Sequence, residues 1–196
     1  MLELFNIPYL ITNYGYIGIF SIVFLESGIF FALPGDSLLF TAGLLASTTY
    51  LKLYLLIPLV FVGTFLGGIA GYYIGVHIER LRKYSFLNKI LKEEYINKAH
   101  EFFVKYGKSA ILFSRFVPIV RTFTPIVAGI AKMDYKLFIK YSLMSSLLWS
   151  TIVTLAGYFL GQIFPQIKDY MSMVIIIVVL VSLLPGVVEI LRKKKS

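Results

Sequence analysis

Three stretches of this chain, Leu53 to Ile78, Tyr141 to Ile167 and Tyr170 to Val188, contain no Asp, Glu, Lys or Arg. A helix of about 20 apolar residues crosses the ~30 Å hydrocarbon core of a bilayer. It does so because helical hydrogen bonding satisfies the whole backbone internally, which lipid cannot do. A helix buried on all sides in a large soluble core could account for one such run. Three within 196 residues specify a membrane protein. Composition agrees, with 15% charged residues where soluble domains carry roughly a quarter, and a mean hydropathy of +0.82.

The formal net charge of +9 does not indicate nucleic acid, because basic and aromatic residues are not interleaved on a soluble module. In a membrane protein the same excess arises from Lys and Arg in cytoplasmic loops. With no cysteine, disulfides, thiolate metal sites and cysteine nucleophiles are excluded. The opening residues MLELFNIPYL lack the basic region and cleavage pattern of a signal peptide, so the first segments are expected to belong to the mature protein.

Residues 1–13 read as a short amphipathic lead-in interrupted by Pro8. From there to Lys52 the chain is apolar except for Glu26 and Asp36, with Pro34-Gly35 between them. Proline removes a donor and glycine permits a reversal. Residues 14–51 are therefore either two spanning helices with a kinked join or a hairpin that leaves the bilayer on the side it entered. Residues 79–108 carry eight Lys or Arg and four Glu. Apolar positions such as Phe86, Ile90, Tyr95, Ala99, Phe102 and Phe103 recur there at helical spacing, as in an interfacial or solvated connector helix. Ser109 to Ala131 is again apolar except for Arg115 and Arg121, with Pro118 and Pro125.

Basic residues at 79–108, at 132–140 and in the tail Arg192-Lys193-Lys194-Lys195 should all face the cytoplasm. Ser109 to Ala131 must then begin and end on one side. Its 23 residues cannot cross twice, since each crossing needs about 20. A re-entrant hairpin resolves this.

An internal repeat supports the plan. At one offset of 86 residues, Ala42-Gly43 matches Ala128-Gly129, and AGYYIG at 70–75 matches AGYFLG at 156–161. Glycines four apart suit close helix contacts in lipid. The expected fold is all-α and polytopic, an inverted repeat in which each half is a hairpin plus a transmembrane helix. Repeat 1 covers 14–78, the cytoplasmic connector 79–108 and repeat 2 109–163, with an extra transmembrane helix over 170–191, all in a single membrane domain. Pro34, Gly35, Pro118, Pro125, Gly43 and Gly129 shape the hairpins.

The first hairpin holds the acids Glu26 and Asp36, the second the bases Arg115 and Arg121. Ionisable groups near the bilayer centre cost a few kcal/mol or more, so they pair or line a cavity. Arginine keeps its charge when desolvated, and its planar fork matches phosphate or carboxylate oxygens. Six residues apart on an unbroken helix, Arg115 and Arg121 would lie about 240° apart. A reversal at Pro118 could bring both into one pocket. This predicts an anionic headgroup on Arg115 and Arg121, with Glu26 or Asp36 taking up a proton or neutralising the arginines. His77 and His100 are expected at interface or surface, Trp149 in packing, and serines such as Ser114 lack a base. No cofactor, metal site or enzymatic centre is expected.

Two segments, FLESGIFFALPGDSLLFTAGLLA at 24–46 and FSRFVPIVRTFTPIVAGIAKM at 113–133, resemble the DedA family of membrane proteins, which shares its core with VTT-domain proteins. The resemblance runs over roughly residues 10–165. It implies two oppositely facing re-entrant hairpins in a prokaryotic plasma membrane with the C-terminus cytoplasmic. It also implies functional residues at Glu26, Asp36, Arg115 and Arg121, and movement of phospholipids or polyprenyl phosphate. The partners expected are membrane lipids with a phosphate headgroup and no nucleic acid; a homo-oligomer is compatible. A proton-coupled carrier of small solutes and a non-transporting envelope scaffold are the competing readings.

Overall fold

The computed structural model describes residues 7–28, 35–47, 51–78, 93–107, 109–117 and 120–163. The connector up to residue 92, the expected helix at 170–191, Pro34 and Pro118 lie outside the described residues. Helices follow in the order α1 (Ile7–Gly28), α2 (Gly35–Ser47), α3 (Leu53–Val76), α4 (Glu93–Tyr106), α5 (Ser109–Ser114), α6 (Val120–Ile130) and α7 (Tyr135–Ile163). No strand occurs among the described residues.

α3 and α7 are the two helices here long and apolar enough to cross a membrane. α2, α5 and α6, at 13, 6 and 11 residues, fall short of the roughly 20 a crossing requires. The lead-in expected at 1–13 is not separate, since α1 begins at Ile7 and runs on through Gly28. Pro8 sits in its first turn, where no backbone donor is needed.

What covers α7 shows its solvent. Ser142, Ser145, Ser146, Trp149, Ser150 and Thr154 are buried, whereas Leu143, Met144, Leu147, Leu148, Ile152 and Phe159 are exposed. A helix bathed in water turns its polar face outward; this one is inside out, as lipid requires. The inward hydroxyls use local carbonyls, Ser146 Oγ donating to Ser142 O at 2.7 Å and Ser150 Oγ to Leu147 O at 3.1 Å. Ser145 Oγ reaches across to Leu112 O at 3.2 Å.

The described chain gathers into two compact units, and α1, α3 and α7 each pass from one to the other. The first comprises the described residues 7–19, 35–47, 51–59 and 151–163. In it, Cβ atoms added to Gly43 would strike the Thr154 carbonyl, and to Gly157 the Phe40 carbonyl. α2 and the end of α7 thus meet backbone to backbone. Lys52 opens α3, its carbonyl accepting from Leu55 and Leu56 N–H at 3.0 Å, while its own N–H donates to the Tyr16 hydroxyl at 2.7 Å.

The second unit comprises the described residues 20–28, 60–78, 93–107, 109–117 and 120–150. The same construction recurs: Gly75 abuts the Ile126 carbonyl, Gly129 the Tyr72 carbonyl, and Gly28 the Gly67 carbonyl. Without a hydrophobic drive between helices in lipid, such close small-residue contacts supply the association. In the first unit α2, with Ala42-Gly43, packs on the AGYFLG segment of α7, and in the second α6, with Ala128-Gly129, packs on the AGYYIG segment of α3. α4 does not lie apart as a solvated connector. Its Ile96 and Phe103 pack against Phe123, Ile126 and Val127 of α6, while Asn97, His100, Glu101, Val104 and Lys105 remain exposed.

α6 stops at Lys132, whose φ of 50° is left-handed. The Met133 and Lys132 N–H groups donate to the Ala128 and Gly129 carbonyls at 3.0 Å, the pattern that ends helices at a left-handed residue. Asp134 then caps α7, its Oδ1 accepting from Leu137 N–H at 2.9 Å. Tyr72 locks this corner by donating to the Met133 carbonyl at 2.6 Å and stacking on Phe138 with centroids 4.6 Å apart.

Candidate functional site

Three of the four charges singled out from sequence, Glu26, Arg115 and Arg121, lie in the second unit, and all three are buried, at 2%, 5% and 8% relative exposure. Glu26 stands near the end of α1, where Gly28 lets that helix close on Gly67 of α3. Thr122 ties α6 to the same spot, its Oγ1 donating to the Glu26 carbonyl at 2.9 Å. That alignment places Arg121, the next residue back on α6, against the Glu26 side chain, and Arg121 Nη2 forms an ion pair with Glu26 Oε1. Glu26 Oε2 has no hydrogen-bond donor among the described residues. Beneath the Arg121 guanidinium lies the Trp149 ring, 5.4 Å from its centroid. Trp149 is itself only 3% exposed.

Arg115 is held differently. It follows α5 at the start of a turn in which the Phe116 and Val117 N–H groups bond back to Phe113 and Ser114 carbonyls at 3.1 and 2.9 Å. Its Nη2 makes two long contacts of 3.4 Å, to the Thr64 carbonyl of α3 and the Ser142 hydroxyl of α7. Among the described residues its Nε has no partner, and neither does the buried Thr64 Oγ1 nearby. Among the described residues no carboxylate pairs with Arg115. Gly68 supplies the room: a Cβ there would sit 3.0 Å from Arg115 Nη2 and 3.2 Å from Ser142 Oγ.

The arginines therefore differ in chemistry. Arg121 is neutralised by a carboxylate, whereas Arg115 meets neutral oxygens among the described residues. The α7 residues touching them, Ser142 and Trp149, are seven apart on one face, about 10 Å along the axis. A buried guanidinium with unused donors is a seat for an anion.

Asp36 belongs to the other unit, partly buried in the first turn of α2, where a carboxylate complements the helix dipole. Gly35 opens that helix and Gly43 makes its close approach to α7. Pro125 lies within α6, its Cβ 3.2 Å from where a Cβ on Gly71 would stand, and Gly129 lies against Tyr72. His77 and His100 are exposed. No cluster of metal-ligating side chains occurs among the described residues.

Sequence reasoning missed Thr64, Ser142 and Trp149. A signal existed for the α7 pair: Ser142, Ser145, Ser146, Trp149, Ser150 and Thr154 follow steps of three and four, one face of a helix.

Comparison with known proteins gives a consistent picture. A family model described as the VTT domain matches residues 33–159. Protein DedA of Escherichia coli (strain K12) is 40% identical over 194 residues, covering 95% of this chain and 88% of that protein. Inner membrane protein YqjA of the same strain is 36% identical over 187 residues, with 92% and 85% coverage. An uncharacterized membrane protein of Mycobacterium tuberculosis (strain ATCC 25618 / H37Rv) is 40% identical over 178 residues, with 89% and 78% coverage. No solved structure matches this chain. With inside-out helices around buried charges, and with relatives of this length and identity, the chain belongs to the VTT-domain (DedA) family of membrane proteins.

Proposed function

We propose that this protein moves phosphate-bearing lipids, such as polyprenyl phosphate or phosphatidylethanolamine, between the leaflets of a prokaryotic plasma membrane. The observation that carries this reading is Arg115, 5% exposed and without a carboxylate partner among the described residues. A buried cation costs several kcal/mol unless an anion or hydrogen-bonding partners offset it. A headgroup phosphate supplies both, accepting from the guanidinium fork. Arg121 joins when Glu26 releases it, and the undonated Oε2 of Glu26 is where a proton would favour that release. Phosphate entry is thereby linked to proton uptake, with Asp36 as the second acid.

In this reading the short helices α5 and α6 form a re-entrant hairpin, and α2 with the end of α1 forms its counterpart from the opposite face. The two halves are an inverted repeat, followed by a further transmembrane helix at 170–191 and a cytoplasmic tail. Family relatives named as membrane and inner membrane proteins support the location. The protein supplies a path and no covalent chemistry.

A leaflet-resolved assay tests this. Protein reconstituted in phosphatidylcholine vesicles should bring labelled phosphate lipid to the opposite leaflet, and Arg115→Ala or Arg121→Ala should abolish the transfer in protein that stays folded. Full transfer with both arginines replaced would defeat the headgroup role. Glu26→Gln and Asp36→Asn should remove the pH dependence of transfer, and an unchanged profile would rule out the coupling. The Glu26–Arg121 ion pair also suits a non-transporting scaffold; replacing the arginines would then lower only protein stability.

A further inference from the structure

Trp149 is the sole tryptophan in the chain, and its surroundings are out of pattern for packing alone. It lies on the face of α7 where Phe138, Ser142, Ser145, Ser146 and Ser150 are also buried, so its nearest neighbours along that face are hydroxyls. Among the described residues the charged group it touches is Arg121, whose guanidinium carbon is 5.4 Å from the ring centroid, inside the ~6 Å within which a ring face attracts a cation.

We propose that Trp149 is the positioning residue for Arg121, holding the guanidinium by its face so that Glu26 is exchanged for an anionic phosphate at its N–H edge. This rests on the headgroup reading above and adds a residue to it. The division between face and edge carries the argument. A guanidinium donates only in its plane, so Glu26 and a phosphate compete for the same edge and cannot both hold it fully. A ring attracts the cation through its quadrupole from above the plane and competes with neither. When Glu26 lets go, the indole contact remains and helps to keep the side chain in place until the anion arrives. An aliphatic side chain of similar size would fill the volume but supply no quadrupole.

The single tryptophan makes the contact visible. In phosphatidylcholine nanodiscs, Arg121→Gln should change the intensity and emission maximum of Trp149 with no other lipid present. An emission spectrum identical to that of the parent protein would overturn the contact. Trp149→Leu and Trp149→Phe are then compared with the parent protein in the labelled phosphatidic acid transfer assay. Leu should raise the half-saturating lipid concentration about tenfold, the size of a desolvated cation–π contact, and Phe should recover most of that loss at equal thermal stability. Leu and Phe behaving alike, whether both impaired or both unimpaired, would overturn the ring-face role. If the parent protein moves no lipid, the translocase reading fails on its own. The same two variants are then ranked by calorimetric binding of phosphatidic acid in nanodiscs. The order parent, Phe, Leu supports the positioning role, and any order in which Leu matches Phe overturns it.

Discussion

The Glu26–Arg121 pair invites a double replacement. Both side chains are buried, at 2% and 9% side-chain exposure, so each depends on the other for compensation. Glu26→Leu takes the paired carboxylate from Arg121, which cannot shed its proton. Losing one partner of a buried pair costs about 3–5 kcal/mol, and the Trp149 face retains about 1–2 kcal/mol of support. A net loss of about 2–4 kcal/mol follows. Arg121→Met strands a carboxyl group, which can be neutralised by a proton, so the loss at neutral pH is smaller, about 1–3 kcal/mol. It should shrink further as the pH falls, because the protonated acid is the form an apolar interior tolerates. Glu26→Leu should show no such acid recovery. The double variant restores a neutral interior and should lie within about 1 kcal/mol of the parent protein. Reversible unfolding in mixed micelles, titrated with dodecyl sulfate at neutral and mildly acidic pH, measures all four corners of the cycle. Losses that simply add in the double variant would show that the two groups do not compensate each other.

Other expectations follow from the packing. Gly75→Val and Gly129→Val should each destabilise by about 1–3 kcal/mol or more, because an added side chain meets the Ile126 or Tyr72 carbonyl. Gly18→Ala, with nothing within 4 Å, should be neutral or gain up to about 1 kcal/mol; thermal unfolding separates them. The absence of native cysteine permits direct mapping of α7. A nitroxide on cysteine at Leu147 or Ile152 should be relaxed strongly by oxygen dissolved in the lipid, and one at Ser146 or Ser150 weakly, in line with their exposure. Lys132→Gly should stabilise by about 1 kcal/mol, because a side chain at φ 50° carries a left-handed cost that glycine does not. Chemical unfolding checks the sign.

The charges were legible because so few interrupt the apolar runs: a Glu or Arg inside such sequence has to be compensated, and Glu26 and Arg121 compensate each other. Spans α3 and α7 were legible for the same reason, by length and lack of charge. Partner choice was not. Nothing in the spacing of Arg115 and Arg121 says that one meets a carboxylate and the other a carbonyl and a hydroxyl, since this depends on where α5 ends and α6 restarts. Trp149 was expected in packing and is buried, whereas its contact with Arg121 was not legible, because an aromatic in an apolar run carries no signal until the hydroxyl face around it is drawn. The α4 helix was identified by its periodicity, yet its docking on α6 through Ile96 and Phe103 could not be separated from adsorption to a lipid surface, because both bury the same stripe. The glycine pairs were noticed as a repeat, while their crosswise contacts depend on tertiary register that the motif does not encode.

Gly68 offers a lever on this arrangement. The atom nearest to a methyl group placed there is the far end of the Arg115 side chain, 3.0 Å away, and that end is the part best able to give way. Alanine at 68 would leave the helix lattice standing and nudge a single positive charge off its two weak anchors. One carbon added opposite the guanidinium thus separates carrying a charge from aiming it.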